Sequence, residues 1–291
     1  MSEFSELLKT KGMDGSRASL ARLLDVSRAS LYYQPKRPAL DEAFKEKVLE
    51  VLVENPAYGH RRIAIALGAN KKKVARVMSK FHIKPTVRRM KRGYGKRKKS
   101  DPELWNLIAD LRPTGPNCIW AGDFTEIEIG TKRIVFLATV IDVYTREIVG
   151  WQIGSRHTTE LVLDAMKSAE RSRSRTPDFF HSDQGSEYTS QESLAWMKEH
   201  DIQASFSPPG KPWKNGFQES FFNTLKLEIG NTHRFKTVPD LYEAIAKLIH
   251  YYNNKRIHGM LKMPPRTYFL KAEERSQRLD AIMSDEANFP K

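Results

Sequence analysis

The pattern of apolar and polar positions in the middle of the chain predicts three neighbouring β-strands. Two runs rich in β-branched residues, 119–129 and 132–143, are separated by Gly130 and Thr131, which suit a two-residue hairpin loop. A third run, 147–153, extends the pair. These runs therefore predict an antiparallel meander.

After the meander, stretches with helical periodicity alternate with short apolar runs. The predicted elements are a helix at about 159–171, a strand at 178–182, a helix at about 190–200, a strand at 203–207, and helices at about 216–229, 239–254 and 265–283. Three antiparallel strands followed by alternating helices and strands predict an α/β fold, a mixed five-stranded sheet with flanking helices.

The first hundred residues carry helical patterns instead. Residues 16–34 and 60–81 each predict two short helices around a turn, and residues 41–54 form an amphipathic stretch. Because the last helix of the second pair combines an apolar face with a cationic outer face, it suits a reader of the DNA major groove. The candidate DNA-contact residues of this pair are Lys71, Lys72, Lys73, Arg76, Arg61 and Arg62.

The net charge of +14 belongs to the same end of the chain. Residues 1–100 contain 25 Lys+Arg and 9 Asp+Glu, a net of +16, whereas residues 101–291 contain 24 and 26, a net of −2. The stretch 84–99 holds nine basic residues and no acid, among them the candidate DNA contacts Lys96, Arg97, Lys98 and Lys99. Such a segment attracts the phosphates of double-stranded DNA through counterion release. A solvated basic face is the alternative.

These patterns predict the domain boundaries and exclude several classes of protein. The predicted division is a helical DNA-binding region at 1–99, a linker at 100–114, a catalytic core at 115–270 and a C-terminal helix or tail at 271–291. No apolar run is long enough to span a membrane, and the N-terminus lacks the apolar centre of a signal peptide. A single cysteine, Cys118, excludes a disulfide framework within the chain and a multi-cysteine metal site. We therefore expect a cytoplasmic protein.

Three acidic residues are candidates for catalysis. Asp123 lies within a predicted strand, Asp183 ends another strand before a glycine turn, and Glu219 lies in the first turn of a predicted helix. That helix begins with Asn215 as N-cap and Gln218 three residues later, the pattern of a capping box. For a lone strand aspartate, a cap or a solvated edge is the alternative.

Brought together, three carboxylates suit magnesium, a hard cation that binds oxygen ligands. Two such ions can activate an attacking hydroxyl and stabilise a leaving oxygen in phosphoryl transfer. Lys226 follows Glu219 by two helical turns on the same face, so it can reach a DNA phosphate beside the carboxylates. An ordinary exposed lysine is the alternative for Lys226.

These residues stand in motifs that resemble the DDE transposases of bacterial insertion sequences, most closely the second-reading-frame protein of the insertion-sequence-three family. Thirty-five residues separate Asp183 from Glu219, the spacing of that family. The shared motifs are Trp120-x-x-Asp-x-Thr125, Ile141-Asp-x-Tyr-x-Arg146, His181-Ser-Asp-x-Gly-Ser-x-Tyr188, Asn215 to Lys226, Tyr252-Asn-Asn-x-Arg-x-His258 and, nearer the N-terminus, Tyr58-Gly-x-Arg-Arg-Ile63.

The resemblance implies an RNase H-like core related to retroviral integrases, with Asp123, Asp183 and Glu219 as ligands of Mg²⁺ or Mn²⁺, two ions in all. It implies cleavage and strand transfer at the inverted-repeat ends of a bacterial mobile element, and hence association with the nucleoid. Expected partners are the DNA ends, target DNA, further copies of this chain in a synaptic complex, and an upstream helix–turn–helix protein that in the family is often fused by frameshifting.

Two further acids compete for the same role. If Ile129 pairs with Lys132 in the hairpin, Asp123 lies opposite Ala138, and Asp142 is four residues further along its strand. At about 3.3 Å per residue that separation is roughly 13 Å, so we interpret Asp142 as structural. Glu187, close behind Asp183, is expected to serve the turn.

Three other functions remain alternatives. A tyrosine recombinase would be expected to show a His-x-x-Arg motif, which no histidine of this sequence begins. An inert DNA-binding regulator would not need all three carboxylates. A nuclease that cleaves RNA–DNA hybrids on the same fold would not need the basic helical region.

Overall fold

The structure, a computed structural model, describes residues 16, 18, 21–22, 25–28, 37–86, 106–108, 111–207 and 216–287. Most of the first predicted helix pair, and the basic residues Lys96, Arg97, Lys98 and Lys99, lie outside these ranges. None of the helices within them is long and apolar enough to cross a membrane.

The described elements follow the predicted order closely. The helices are α1 (Arg37–Glu54), α2 (His60–Ala66), α3 (Lys71–Lys80), α4 (Thr159–Arg173), α5 (Ser186–Thr189), α6 (Gln191–Glu199), α7 (Gly216–Ile229), α8 (Val238–Asn254) and α9 (Pro265–Ala287). The strands are β1 (Ile119–Ile129), β2 (Arg133–Asp142), β3 (Ile148–Gly154), β4 (Phe179–Ser182) and β5 (Gln203–Phe206). The one-turn helix α5 is an addition to the prediction. Helix α9 runs without a break through residue 270, where the predicted division between core and tail lay.

The five strands form one mixed sheet in the order β3-β2-β1-β4-β5. Strands β1, β2 and β3 pair antiparallel, while β4 pairs parallel with both β1 and β5. The predicted five-stranded mixed sheet, with its three-stranded meander, is thus confirmed, and its topology is that of an RNase H-like core.

The predicted two-residue hairpin loop is wrong. Ile129 pairs with Arg133, so the turn contains three residues, and two of them, Gly130 and Lys132, have positive φ angles of 52° and 72°. Three-residue loops with a left-handed residue are a common hairpin type, and the one-residue difference shifts the register. Asp123 consequently lies opposite Thr139.

Apolar layers cover both faces of the sheet. The side chains of odd-numbered positions such as Ile119 and Ile127 pack with α7 and α8. The opposite face, including Trp120 and Val140, packs with α4 and α6. Because neighbouring strand residues face opposite ways, Asp123 lies on the same side as α7.

The helical unit, residues 37–86, has its own small core and contacts the segment after α8. Tyr58 is buried in that core, and its hydroxyl accepts a hydrogen bond from the backbone N–H of Ile257 at 2.7 Å. Arg62 donates from Nε to the carbonyl of Ile257 at 3.0 Å, and the Tyr251 hydroxyl donates to Asn55 Oδ1 at 2.6 Å. The helical unit is therefore joined to the core by hydrogen bonds.

Candidate active site

Asp123 lies in the central strand of the sheet. Its neighbour Gly122 faces the other layer, where an added Cβ would stand 2.5 Å from Cζ of Phe180, so the strand needs glycine at this position. The backbone N–H of Phe124 donates to Asp123 Oδ1 at 2.8 Å. Asp123 is half-buried on the α7 side of the sheet, and a carboxylate in such a place is costly unless something compensates its charge.

Asp183 follows the end of the neighbouring strand β4. Parallel pairing sets Ala121 of β1 beside His181 of β4, so two residues further on Asp183 leaves β4 beside Asp123, which is still paired with β2 inside the sheet. His181 is held by hydrogen bonds to Ser205 at 3.0 Å and Ser207 at 2.8 Å, which fix the end of β4. Asp183 Oδ1 accepts from the Gly185 backbone N–H at 3.1 Å, which closes the turn after it.

Glu219 lies in the first turn of α7 and is exposed. The helix is anchored by the buried side chains of Phe221, Phe222 and Leu225. The predicted capping box is wrong as far as Gln218 is concerned, because its side chain is directed into the sheet, where it bonds to Ala121 and Thr139. Asn215, the predicted N-cap, lies outside the described residues.

The charged groups of these three elements act on one another. Burial raises the pKa of the Asp123 carboxyl to about 7, the N–H of Phe124 opposes this, the charges of Asp183 and Glu219 add to it, and Lys226 opposes it. The other two candidate carboxylates and Lys226 therefore lie close enough to Asp123 for their charges to act on it. An ionised Asp123 in this position is costly, and a cation beside it would reduce that cost.

The carboxyl groups are near one another but not gathered into a finished site. Within the described ranges, no group of three or more His, Cys, Asp or Glu side chains stands close enough to hold a metal ion. The donor set nevertheless fits one, because carboxylate oxygens are the ligands that Mg²⁺ and Mn²⁺ prefer.

Lys226 borders a groove. It is half-buried, two turns after Glu219, and lines a cavity of about 490 Å³ together with Glu126, Glu128 and Thr86. Thr86 is the last described residue of the basic stretch 84–99, so the groove lies where the helical unit meets the core.

The two competing acids have structural partners. Asp142 is buried and accepts hydrogen bonds from the backbone N–H groups of Asn117, Tyr144 and Thr145 at 2.8, 2.8 and 3.0 Å, and it organises the β2–β3 turn. Glu187 pairs with Nδ1 of His157 at 2.9 Å. The sequence carried no signal for His157, which meets Glu187 through tertiary packing.

The cationic face predicted for α3 is partly engaged within the protein. Arg76 forms two hydrogen bonds of 2.7 and 2.6 Å with buried Asp41 of α1, and Lys80 contacts the same carboxylate at 3.0 Å. Lys73 Nζ lies 4.0 Å from the centre of the Phe44 ring. A buried carboxylate requires such compensation, which explains why these side chains turn toward α1.

The other basic candidates of the helical unit divide in the same way. Arg62 bonds to Ile257, whereas Arg61, Lys71 and Lys72 are exposed. The charge pattern had not distinguished these groups, because the partner of each cation lies on another element.

Known proteins provide an independent comparison. Two family models described as integrase core domain match residues 113–212 and 200–265. The transposase for insertion sequence element IS904 of Lactococcus lactis is 34% identical over 242 residues, which cover 79% of this chain and 95% of that protein. The transposase InsF for insertion sequence IS3A of Escherichia coli is 36% identical over 129 residues, 44% of each chain.

Solved structures are also similar. The HTLV-2 integrase catalytic core domain in complex with magnesium aligns with a TM-score of 0.42 and 20% sequence identity, over 54% of this chain and 99% of that one.

Proposed function

Since the chain belongs to the insertion-sequence-three family of transposases with an integrase-like core, we propose that it cuts and joins DNA at the inverted-repeat ends of a mobile element, with Asp123, Asp183 and Glu219 as its metal ligands. The observation that carries this assignment is the placement of the three acids. Asp183 follows the end of β4 beside Asp123 of the central strand. Glu219 stands next to Gln218, whose amide bonds to both strands at the level of Asp123.

The three carboxylates would hold two divalent ions, Mg²⁺ or Mn²⁺. Such ions supply Lewis-acid activation of the attacking oxygen and stabilise charge on the leaving oxygen. No covalent nucleophile of the protein is then needed, and the chain's own contribution is to position the DNA strand.

The remaining residues would serve that positioning. Lys226, half-buried beside the carboxylates, would hold a phosphate of the DNA end near the reacting bond. Exposed Arg61, Lys71 and Lys72 of the helical unit, with the basic residues that follow it, would contact phosphates farther along the duplex. Several copies of the chain would bring two DNA ends together.

The test is a cleavage and joining assay with the full chain and duplex DNA that carries the ends of the host element. We expect nicked and joined products in Mg²⁺ or Mn²⁺, none in EDTA, and none with scrambled ends. DNA binding without metal-dependent products would support an inert regulator instead. Joining through a covalent protein–DNA intermediate would support a recombinase with a protein nucleophile.

A further inference from the structure

Gln218, the residue before Glu219, has a side chain with unusually complete hydrogen bonding. Its solvent exposure is 0%, although it stands beside an exposed glutamate. Nε2 donates to the carbonyl of Ala121 at 2.6 Å and to that of Thr139 at 3.0 Å, while Oε1 accepts from the Thr139 hydroxyl at 2.9 Å. Both amide hydrogens and the carbonyl oxygen are thus used.

These bonds lie on both sides of Asp123. Ala121 precedes Asp123 by two residues on the same face of β1, and Thr139 is its direct partner on β2. One amide group therefore connects the first turn of α7 to the two strands at the level of Asp123. Because successive helical residues differ by 100°, Gln218 points into the sheet while Glu219 is exposed.

Apolar packing alone does not fix that first turn. The buried apolar residues Phe221, Phe222 and Leu225 begin two residues after Glu219, and Phe217 is only half-buried. Apolar contacts are non-directional, whereas an amide with three bonded partners specifies both distance and rotation. Burying an amide has a desolvation cost, which the three hydrogen bonds of Gln218 offset.

We propose that Gln218 is a positioning residue that sets the placement of Glu219 relative to Asp123, so that the two carboxylates can share divalent metal. This inference rests on the proposed function, because it assumes that both acids are ligands. Thr139 takes part in this positioning, since its hydroxyl donates to the Gln218 carbonyl oxygen and orients the amide.

The test compares Gln218→Leu and Thr139→Val with Thr139→Ser, which keeps the hydroxyl. In single-turnover cleavage at saturating DNA, we expect Gln218→Leu to be slower by about 10- to 100-fold, as misplaced reacting groups are. We expect Thr139→Val to be slower by a smaller factor and Thr139→Ser to approach wild type. Affinity for DNA should be unchanged, because binding depends on other surfaces.

A second readout follows the metal without catalysis. The Mn²⁺ concentration that gives half of the metal-induced rise in Tm should increase for Gln218→Leu and Thr139→Val, and stay near wild type for Thr139→Ser. A merely structural role would lower Tm at all metal concentrations and leave this midpoint unchanged.

Each outcome decides between the two ideas. Wild-type rates and Mn²⁺ midpoints in folded Gln218→Leu would overturn the positioning role and leave the proposed function intact. If Gln218→Leu does not fold, equal behaviour of Thr139→Val and Thr139→Ser would overturn it. A wild-type chain without metal-dependent cleavage would overturn the proposed function itself, and this inference with it.

Discussion

The buried acid of the helical unit and the candidate acids of the catalytic core differ in their partners. In the helical unit, residues 37–86, cations of α3 compensate the buried carboxylate of Asp41, and Arg62 bonds to the core. In the core, Asp123, Asp183 and Glu219 have no cationic side chain within ion-pair distance among the residues that the structure describes. The contrast shows that the number of cations in a region does not predict which of them are free to bind DNA, whereas neighbouring acids without a cationic partner within the described residues indicate a site.

Removing the three candidate carboxylates of the core should have the largest effect on activity. Asp123→Asn, Asp183→Asn and Glu219→Gln should each reduce strand cleavage by about 10³-fold or more, since phosphoryl transfer depends on the metal, while DNA affinity stays within about twofold. The measurement is single-turnover cleavage beside a binding titration. Glu192→Gln, the same kind of change at an exposed position in the first turn of α6, is the matched control. Substantial Mg²⁺-dependent cleavage by one of the three would remove that residue from the site.

The core also contains paired charges, and breaking one pair should be costly. Arg256 donates to Glu228 of α7 at 3.0 Å, and both side chains are nearly buried. Arg256→Met should lower the free energy of unfolding by about 3–5 kcal/mol, because it leaves Glu228 buried without its partner. Denaturant unfolding provides the measurement. The double variant with Glu228→Met should recover much of the loss, and no recovery would show that the pair is not the cause.

The unpaired state of Asp123 predicts a dependence of stability on pH. Its pKa is raised from 3.8 to about 7, so its contribution to stability is fully present below pH 3.8 and is lost as the pH rises through 7. In metal-free protein, the stability of Asp123→Asn relative to wild type should therefore grow by on the order of 4 kcal/mol between pH 4 and pH 8. Denaturant unfolding at several pH values measures this difference. A constant difference would mean that Asp123 titrates normally.

Substitution of Lys226 tests whether this cation holds a DNA phosphate near the candidate site. Lys226→Ala should slow single-turnover cleavage by about 10- to 100-fold at saturating Mg²⁺, and Lys226→Arg should restore part of the rate because the charge is kept. Lys236→Ala, at an exposed position beyond α7, is the control. Wild-type rates for Lys226→Ala would identify Lys226 as an ordinary surface lysine.

The smallest expected effect distinguishes exposed from engaged cations on α3. Lys71→Gln combined with Lys72→Gln should reduce the slope of log affinity against log salt by about 2, roughly one for each lost phosphate contact. Arg76→Gln should mainly lower Tm, because Arg76 compensates Asp41. Salt-dependent DNA binding and thermal melts measure the two effects. An equal loss of slope in Arg76→Gln would place Arg76 on the DNA surface as well.

Whether a feature of the structure could be predicted from the sequence depends on how far apart in the chain the interacting residues lie. Strand β1 was predicted residue for residue, and the mixed five-stranded sheet followed from the alternation of helices and strands. The motifs also identified Asp123, Asp183 and Glu219 as candidates, because the spacing along the chain is itself the signal. What a side chain bonds to across the fold could not be predicted in this way.

Gln218 illustrates that limit. Its spacing from Asn215 matches a capping box, yet its amide bonds to two strands that lie about 80 and 100 residues earlier in the sequence. The pairing of Arg76 with Asp41, 35 residues apart, is of the same kind. One additional residue in the hairpin turn was enough to change the predicted partner of Asp123 from Ala138 to Thr139.

The most direct test of the central claim is a calorimetric titration of Mn²⁺ into the full chain bound to DNA carrying the element's ends. The wild-type complex should bind two ions per chain, and Glu192→Gln should bind them equally well. Asp123→Asn should lose this binding while it still holds the DNA. Unchanged Mn²⁺ binding by Asp123→Asn would contradict the assignment of Asp123, Asp183 and Glu219 as the metal site.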